Sequence, residues 1–114
     1  MKKRKVLHAG VDIAVPRGTP VYASGNGKVI EARYSNSYGW YIEIRHKGGF
    51  STLYTHLSKL YVKKGNVVRM GQHIGSVGRT GIATGYHLHF ELRKNSIPQN
   101  PLQWIVWIPA GKSQ

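Results

Sequence analysis

The sequence predicts an all-β domain, a small antiparallel barrel or sandwich with little or no helix. Three observations carry this: short runs alternate apolar and polar residues, Gly, Asn, Ser and Pro clusters end each run, and no stretch sustains a helical period. Residues 11–15 are the first candidate strand. Residues 20–23 open on Pro20, which a strand tolerates at its first position. Residues 28–34 lie between Gly25-Asn26-Gly27 and Ser35-Asn36-Ser37, and residues 40–45 between Gly39 and Lys47-Gly48-Gly49. Residues 51–54 follow that glycine pair, residues 73–77 lie between Gly71 and Gly78, and residues 87–93 lie between Gly85 and Asn95-Ser96. A helical turn or two fits at residues 57–61 and 101–105.

At 114 residues the chain suits one domain around one core. It has no cysteine, which excludes disulfides and thiolate metal sites and is compatible with either redox compartment. No apolar run reaches the ~20 residues of a membrane helix, so no transmembrane segment is expected. Met1-Lys2-Lys3-Arg4-Lys5 is basic like the start of a signal peptide, yet Val6-Leu7 gives way at once to His8, short of the roughly 7 to 15 apolar residues such a signal needs. Seventeen Lys and Arg against four acids give a net charge of +13, which attracts polyanions in a salt-dependent way. Nucleic acid is one such partner, with Tyr38, Trp40 and Tyr41 as conceivable stacking residues. The commoner arrangement spreads basic residues over solvated strand faces and buries the aromatics, so no specific nucleic-acid partner is expected and a monomer is.

The chemistry concentrates on histidine. In Tyr86-His87-Leu88-His89-Phe90-Glu91, a strand reading puts His87, His89 and Glu91 on one face and Leu88 and Phe90 on the other. Such a pair is metal-competent, although histidines without a metal are commoner. His8-Ala9-Gly10-Val11-Asp12 adds an imidazole and one of only four carboxylates. A three-ligand zinc site with an open fourth position draws on these donor types. A straight strand would separate His8 from Asp12 by about 13 Å, so sharing a metal requires a bend, which Gly10 permits. His56, in Tyr54-Thr55-His56-Leu57-Ser58, stands at an expected strand end, a common setting for a functional side chain. Tyr54 lines a groove beside it or packs in the core. His46 and His73 adjoin turn signals and read as surface or structural residues. Glu91 is a candidate base or ligand-supporting group, with a surface or structural carboxylate the commoner reading.

His8-x-x-x-Asp12, Tyr54-Thr55-His56-Leu57-Ser58 and Thr84-Gly85-Tyr86-His87-Leu88-His89-Phe90-Glu91, in that order, resemble the motifs of the lysostaphin-type (LytM-like) zinc peptidases of bacterial cell walls. Gly18-Thr19-Pro20-Val21-Tyr22-Ala23, Gly71-Gln72-His73-Ile74-Gly75 and Asn100-Pro101 extend the resemblance over residues 8–102. It implies a barrel-sandwich hybrid of the duplicated-hybrid-motif type, with a basic segment at residues 1–7, a peptidase domain at 8–108 and a tail at 109–114. It also implies one zinc ion held by His8, Asp12 and His89, with His56 and His87 as an unligated catalytic pair. The implied activity is hydrolysis of peptidoglycan cross-bridges or stem peptides at an anionic cell wall, periplasmic or extracellular. Loops at residues 33–39 and 79–85 would shape the groove. The short stretch before His8 reads as a minimal or excised domain. The alternatives are a non-catalytic wall-binding or hydrolase-activating domain and a basic nucleic-acid-binding barrel, neither of which uses the His8-Asp12 and His87-His89 combination. A His-Glu-x-x-His helix is absent, so the glutamate base of that other peptidase class is not available.

Overall fold

Alternating runs and turn residues give ten strands in the computed structural model, which describes residues 4–6, 11–80 and 87–99. In chain order they are β1 (Arg4–Val6), β2 (Val11–Ala14), β3 (Pro20–Tyr22), β4 (Gly27–Ser35), β5 (Gly39–Arg45), β6 (Phe50–Leu60), β7 (Val67–Val68), β8 (His73–Val77), β9 (His87–Lys94) and β10 (Ile97–Gln99). All pairings are antiparallel, along the path β1-β2-β9-β6-β5-β4-β7, with β10 on β9 and β3 on β8. The helical content among the described residues is one 3-10 turn, Lys47–Gly49. The expected all-β class and all seven expected strands are present.

Strand β6 differs from expectation, and its length shapes the molecule. It runs eleven residues to Leu60, so residues 57–60 are strand where a helical turn was expected. The physical reason is pairing: Leu57, Lys59 and Leu60 stand opposite Val77, Ser76 and Gly75 of β8, and Leu57 is fully buried. Residues 50–55 pair instead with β9, so β6 changes neighbour at His56 and curls the sheet. Strands β1, β7 and β10 span two or three residues each, too few to show alternation in sequence. The second expected helical turn, at residues 101–105, lies outside the described residues.

The core is apolar and continuous, including Ile13, Val29, Ile44, Leu57, Ile74 and Phe90. Tyr54 belongs to it, fully buried, with its ring tilted against Phe90 at 5.4 Å; it does not line a groove. Burial of a phenol requires partners for its oxygen. The amide and hydroxyl of Ser24 lie 3.0 and 2.9 Å from Tyr54 Oη, which is 2.8 Å from Thr52 Oγ1. Thr52 Oγ1 is 2.7 Å from His46 Nε2, and His46 Nδ1 is 2.7 Å from the Asn26 carbonyl. That carbonyl accepts only, so Nδ1 carries the proton and the hydroxyls donate in sequence from Ser24 through Tyr54 and Thr52 to Nε2. His46 is structural, as expected. His73 is exposed and packs between Tyr61 and Tyr22, with centroids at 4.7 and 5.6 Å. Tyr41 is buried, whereas Trp40 is 41% exposed and meets Tyr34 edge-on, so the aromatics are not all core residues.

Two outcomes follow from this packing. Burial holds the His46 pKa below its ordinary 6.5, against the smaller opposing effect of the Asn26 carbonyl. The unfolded chain then takes up this proton first, so the His46 contribution lowers stability as pH falls from about 6.5 through the folded value. An NMR titration of its ring proton should give a midpoint below 6.5; a midpoint at or above it contradicts the network. Gly39 has φ +66°, and a Cβ there would stand 2.3 Å from Thr80 backbone and hydroxyl atoms. Gly39→Ala should therefore destabilise by more than the ~1–2 kcal/mol of the left-handed conformation alone, read from denaturant unfolding.

Candidate active site

Strand β9 lies between β2 and β6, with Asp12 opposite His89 and His89 opposite Thr55. Ile13 and Leu88, also opposite one another, are buried in the core, which turns Asp12 and His89 to the other face. There Asp12 Oδ1 is 2.6 Å from His89 Nδ1, with the side chains 26% and 13% exposed. The far nitrogen, His89 Nε2, is 2.9 Å from Glu91 Oε2. Burial disfavours the imidazolium of His89, but the hydrogen bonds to Glu91 and Asp12 outweigh it, and the net shift is upward. Burial likewise opposes the charge on Glu91, and the hydrogen bonds from His89 and Arg93 bring its pKa below the usual carboxylate value.

His56 reaches the same face by a bulge. Trp40 pairs with Leu57 and Ile42 with Tyr54, so Thr55 and His56 together stand opposite Tyr41. The extra residue takes φ 61°, a conformation that a non-glycine residue adopts under constraint. Its amide donates to the Tyr38 carbonyl at 2.7 Å, and its carbonyl accepts from Gly78 at 3.0 Å. Its Nδ1 is 2.7 Å from the Thr80 carbonyl, which fixes the proton on Nδ1 and leaves Nε2 as the basic nitrogen. Thr80 is itself held, its hydroxyl donating to the Leu57 carbonyl at 2.6 Å and accepting from the Trp40 amide at 3.0 Å. The rings of His56 and His89 are 6.4 Å apart.

Of the five residues singled out in the sequence, Asp12, His56 and His89 are brought together. His87 has its backbone in β9 opposite Ala14, and its side chain lies outside the described residues. His8 lies outside them too. The described residues contain no group of three His, Cys, Asp or Glu donors around one point. They contain two: a carboxylate oxygen and an imidazole nitrogen facing each other, with a carboxylate anchoring the far side of the ring. That donor chemistry suits zinc, whose histidine ligands commonly give their other N–H to a carboxylate.

Sequence reasoning underrated Glu91, missed Arg93 and Thr80, and read Tyr38 as a conceivable nucleic-acid stacking residue or a core aromatic. Glu91 is 4% exposed and touches His89, not a surface carboxylate. Its signal was the two-residue spacing from His89 on one strand face, and Arg93 repeats it. Tyr38 and Thr80 act on His56 through backbone carbonyls, which residue types do not announce. Of the expected groove loops, Arg33 and Ser35 belong to β4 and Gly39 to β5, leaving a turn at residues 36–38; residues 81–86 lie outside the described residues.

Known proteins share both sequence and fold. The chain is 48% identical over 101 residues to the peptidoglycan DD-endopeptidase ShyA of Vibrio cholerae serotype O1, covering 89% of this chain and 24% of that protein. It is 49% identical over 103 residues to the DD-carboxypeptidase/endopeptidase Mpg of Neisseria meningitidis serogroup B, covering 90% and 24%. The chain thus spans about a quarter of the length of these curated relatives. The catalytic domain of lysostaphin from Staphylococcus simulans superposes with a TM-score of 0.79 at 42% identity, covering 85% of this chain and 77% of that one. A zinc-containing peptidase from Vibrio cholerae superposes equally, TM-score 0.79 at 46% identity, covering 82% and 29%. Residues 6–101 match the model of Peptidase family M23, and the chain belongs to that family.

Proposed function

We propose that residues 8–108 form a zinc-dependent endopeptidase domain that hydrolyses peptide bonds in peptidoglycan cross-bridges or stem peptides. The observation that carries the proposal is the Asp12–His89 donor pair, 2.6 Å apart on paired strands in a member of a peptidase family. The naming of relatives as peptidoglycan DD-endopeptidases supports the substrate class. His8, Asp12 and His89 are assigned as the holders of one zinc ion. Bound by three protein ligands, zinc supplies Lewis acidity and an acidified water at near-neutral pH.

The rest of the chemistry falls to this chain's own side chains. Asp12 contributes negative charge against the cation, and His89 presents Nδ1 while its Nε2 proton rests on Glu91. His56 Nε2 takes up and returns a proton, because Thr80 occupies Nδ1. His87, two residues before His89, is assigned the second imidazole, polarising the scissile carbonyl as negative charge develops on its oxygen. The net charge of +13 favours attraction to anionic wall polymers, and relatives named as peptidoglycan endopeptidases support work in the periplasm or outside the cell. Among the described residues no helix is long and apolar enough to cross a membrane.

Purified protein with stoichiometric zinc should cut cross-linked muropeptides, seen by mass spectrometry, and a chelator should stop it. Intact muropeptides beside an active control enzyme refute the proposal. His89→Ala should lose zinc, whereas His56→Ala and His87→Ala should keep it and lose about 10²–10⁴-fold in turnover. Zinc loss in His87→Ala would show that the roles of His87 and His89 are reversed.

A further inference from the structure

Every second residue of β9 from His89 onward is charged or ionisable, and the three meet in one chain of contacts. Glu91 divides its oxygens: Oε2 is 2.9 Å from His89 Nε2, while Oε1 is 2.9 Å from Arg93 Nε and 2.8 Å from Arg93 Nη2. Arg93 continues to Tyr38, with Nη2 3.2 Å from the phenol oxygen, and Nη1 is 3.8 Å from Glu43 Oε2. Tyr38 then closes the path, because its carbonyl accepts the amide of His56 at 2.7 Å. Its position is further set by its amide on Ser35 Oγ at 3.0 Å and by its ring, edge-on to Tyr41 at 5.2 Å.

We propose that Arg93 is a positioning residue serving both halves of the site. Through Glu91 it fixes the ring of His89, and through the Tyr38 hydroxyl it ties that ring to the peptide holding His56. The inference rests on the reading of His89 as a zinc ligand. A buried carboxylate without hydrogen-bonded partners is costly, and the guanidinium that grips its other oxygen holds Glu91 in orientation against His89. Glu91 Oε2 accepts from His89 Nε2, and this contact turns the ring so that Nδ1 faces Asp12 Oδ1. Lysine lacks the planar fork that puts Nε and Nη2 on one oxygen while Nη2 reaches the phenol. The contacts form one series, so breaking two links of the Glu91 arm should cost little more than breaking one.

The test measures zinc affinity by chelator competition, turnover on muropeptides, and thermal unfolding of the zinc-free proteins. Arg93→Lys and Glu91→Gln should each weaken zinc binding about 10–100-fold, and the double variant should weaken it no further than the worse single one. Tyr38→Phe keeps the ring and the carbonyl and loses only the hydroxyl tie. It should retain zinc affinity within about 3-fold and lower kcat with KM unchanged. Thermal unfolding of Tyr38→Phe and Arg93→Lys near the wild-type temperature separates these effects from loss of fold. Wild-type zinc affinity in both Arg93→Lys and Glu91→Gln, or losses that multiply in the double variant, overturns the proposal. If the wild-type protein binds no zinc, the ligand reading fails and this inference falls with it; if the wild type binds and the variants match it, this inference alone fails.

Discussion

The register of β9 between β2 and β6 is the constraint on which the rest of the site depends. A slip of one residue would send His89, Glu91 and Arg93 into the core and expose Leu88, Phe90 and Leu92. Those three apolar side chains are 3–6% exposed, and burying each contributes roughly 1.5–3 kcal/mol. The hydrogen bonds on the polar face contribute about 0.5–1.5 kcal/mol apiece, somewhat more where charged. The hydrophobic face is therefore the larger influence on where β9 lies, and the polar face follows from it.

His56 is held by a different balance. A positive φ at a non-glycine residue costs of order 1–3 kcal/mol and persists only where its surroundings over-determine it. Here the surroundings are Tyr38, Gly78 and Thr80, each bonded to a different group of His56, with fully buried neighbours Thr55 and Leu57 on either side. The bulge also sits where β6 exchanges β9 for β8 as its partner. One local irregularity thus bends the sheet and aims the imidazole, so the fold and the chemistry share a cost.

Much of this was legible in the residues. Turn residues bounding each run announced every strand of five or more residues, and the polar face of β9 could be read from His89 and Glu91 alone. The extent of β6 could not be read, because Leu57–Leu60 is short and apolar at both ends, a pattern shared by a helical turn, and only pairing with β8 decides it. Short strands such as β7 depend on their partners for their conformation and leave no pattern of their own. At the site, a side-chain contact along one strand face was foreseeable from spacing, as with His89 and Glu91. Contacts made through carbonyls, such as Thr80 to His56, depend on where the backbone passes, and any residue type can supply them.

Asp12 and His89 are separated by 77 positions in the chain. Strand β2 is made before β9 and has only β1 as a neighbour until β9 arrives, so its carboxylate has no imidazole opposite it in a nascent chain. The pair comes into being as the sheet closes, by contacts of the long-range kind that form slowly. An emerging polypeptide of this sequence therefore lacks the donor pair during synthesis, and acquires it in the same step that makes it a folded protein.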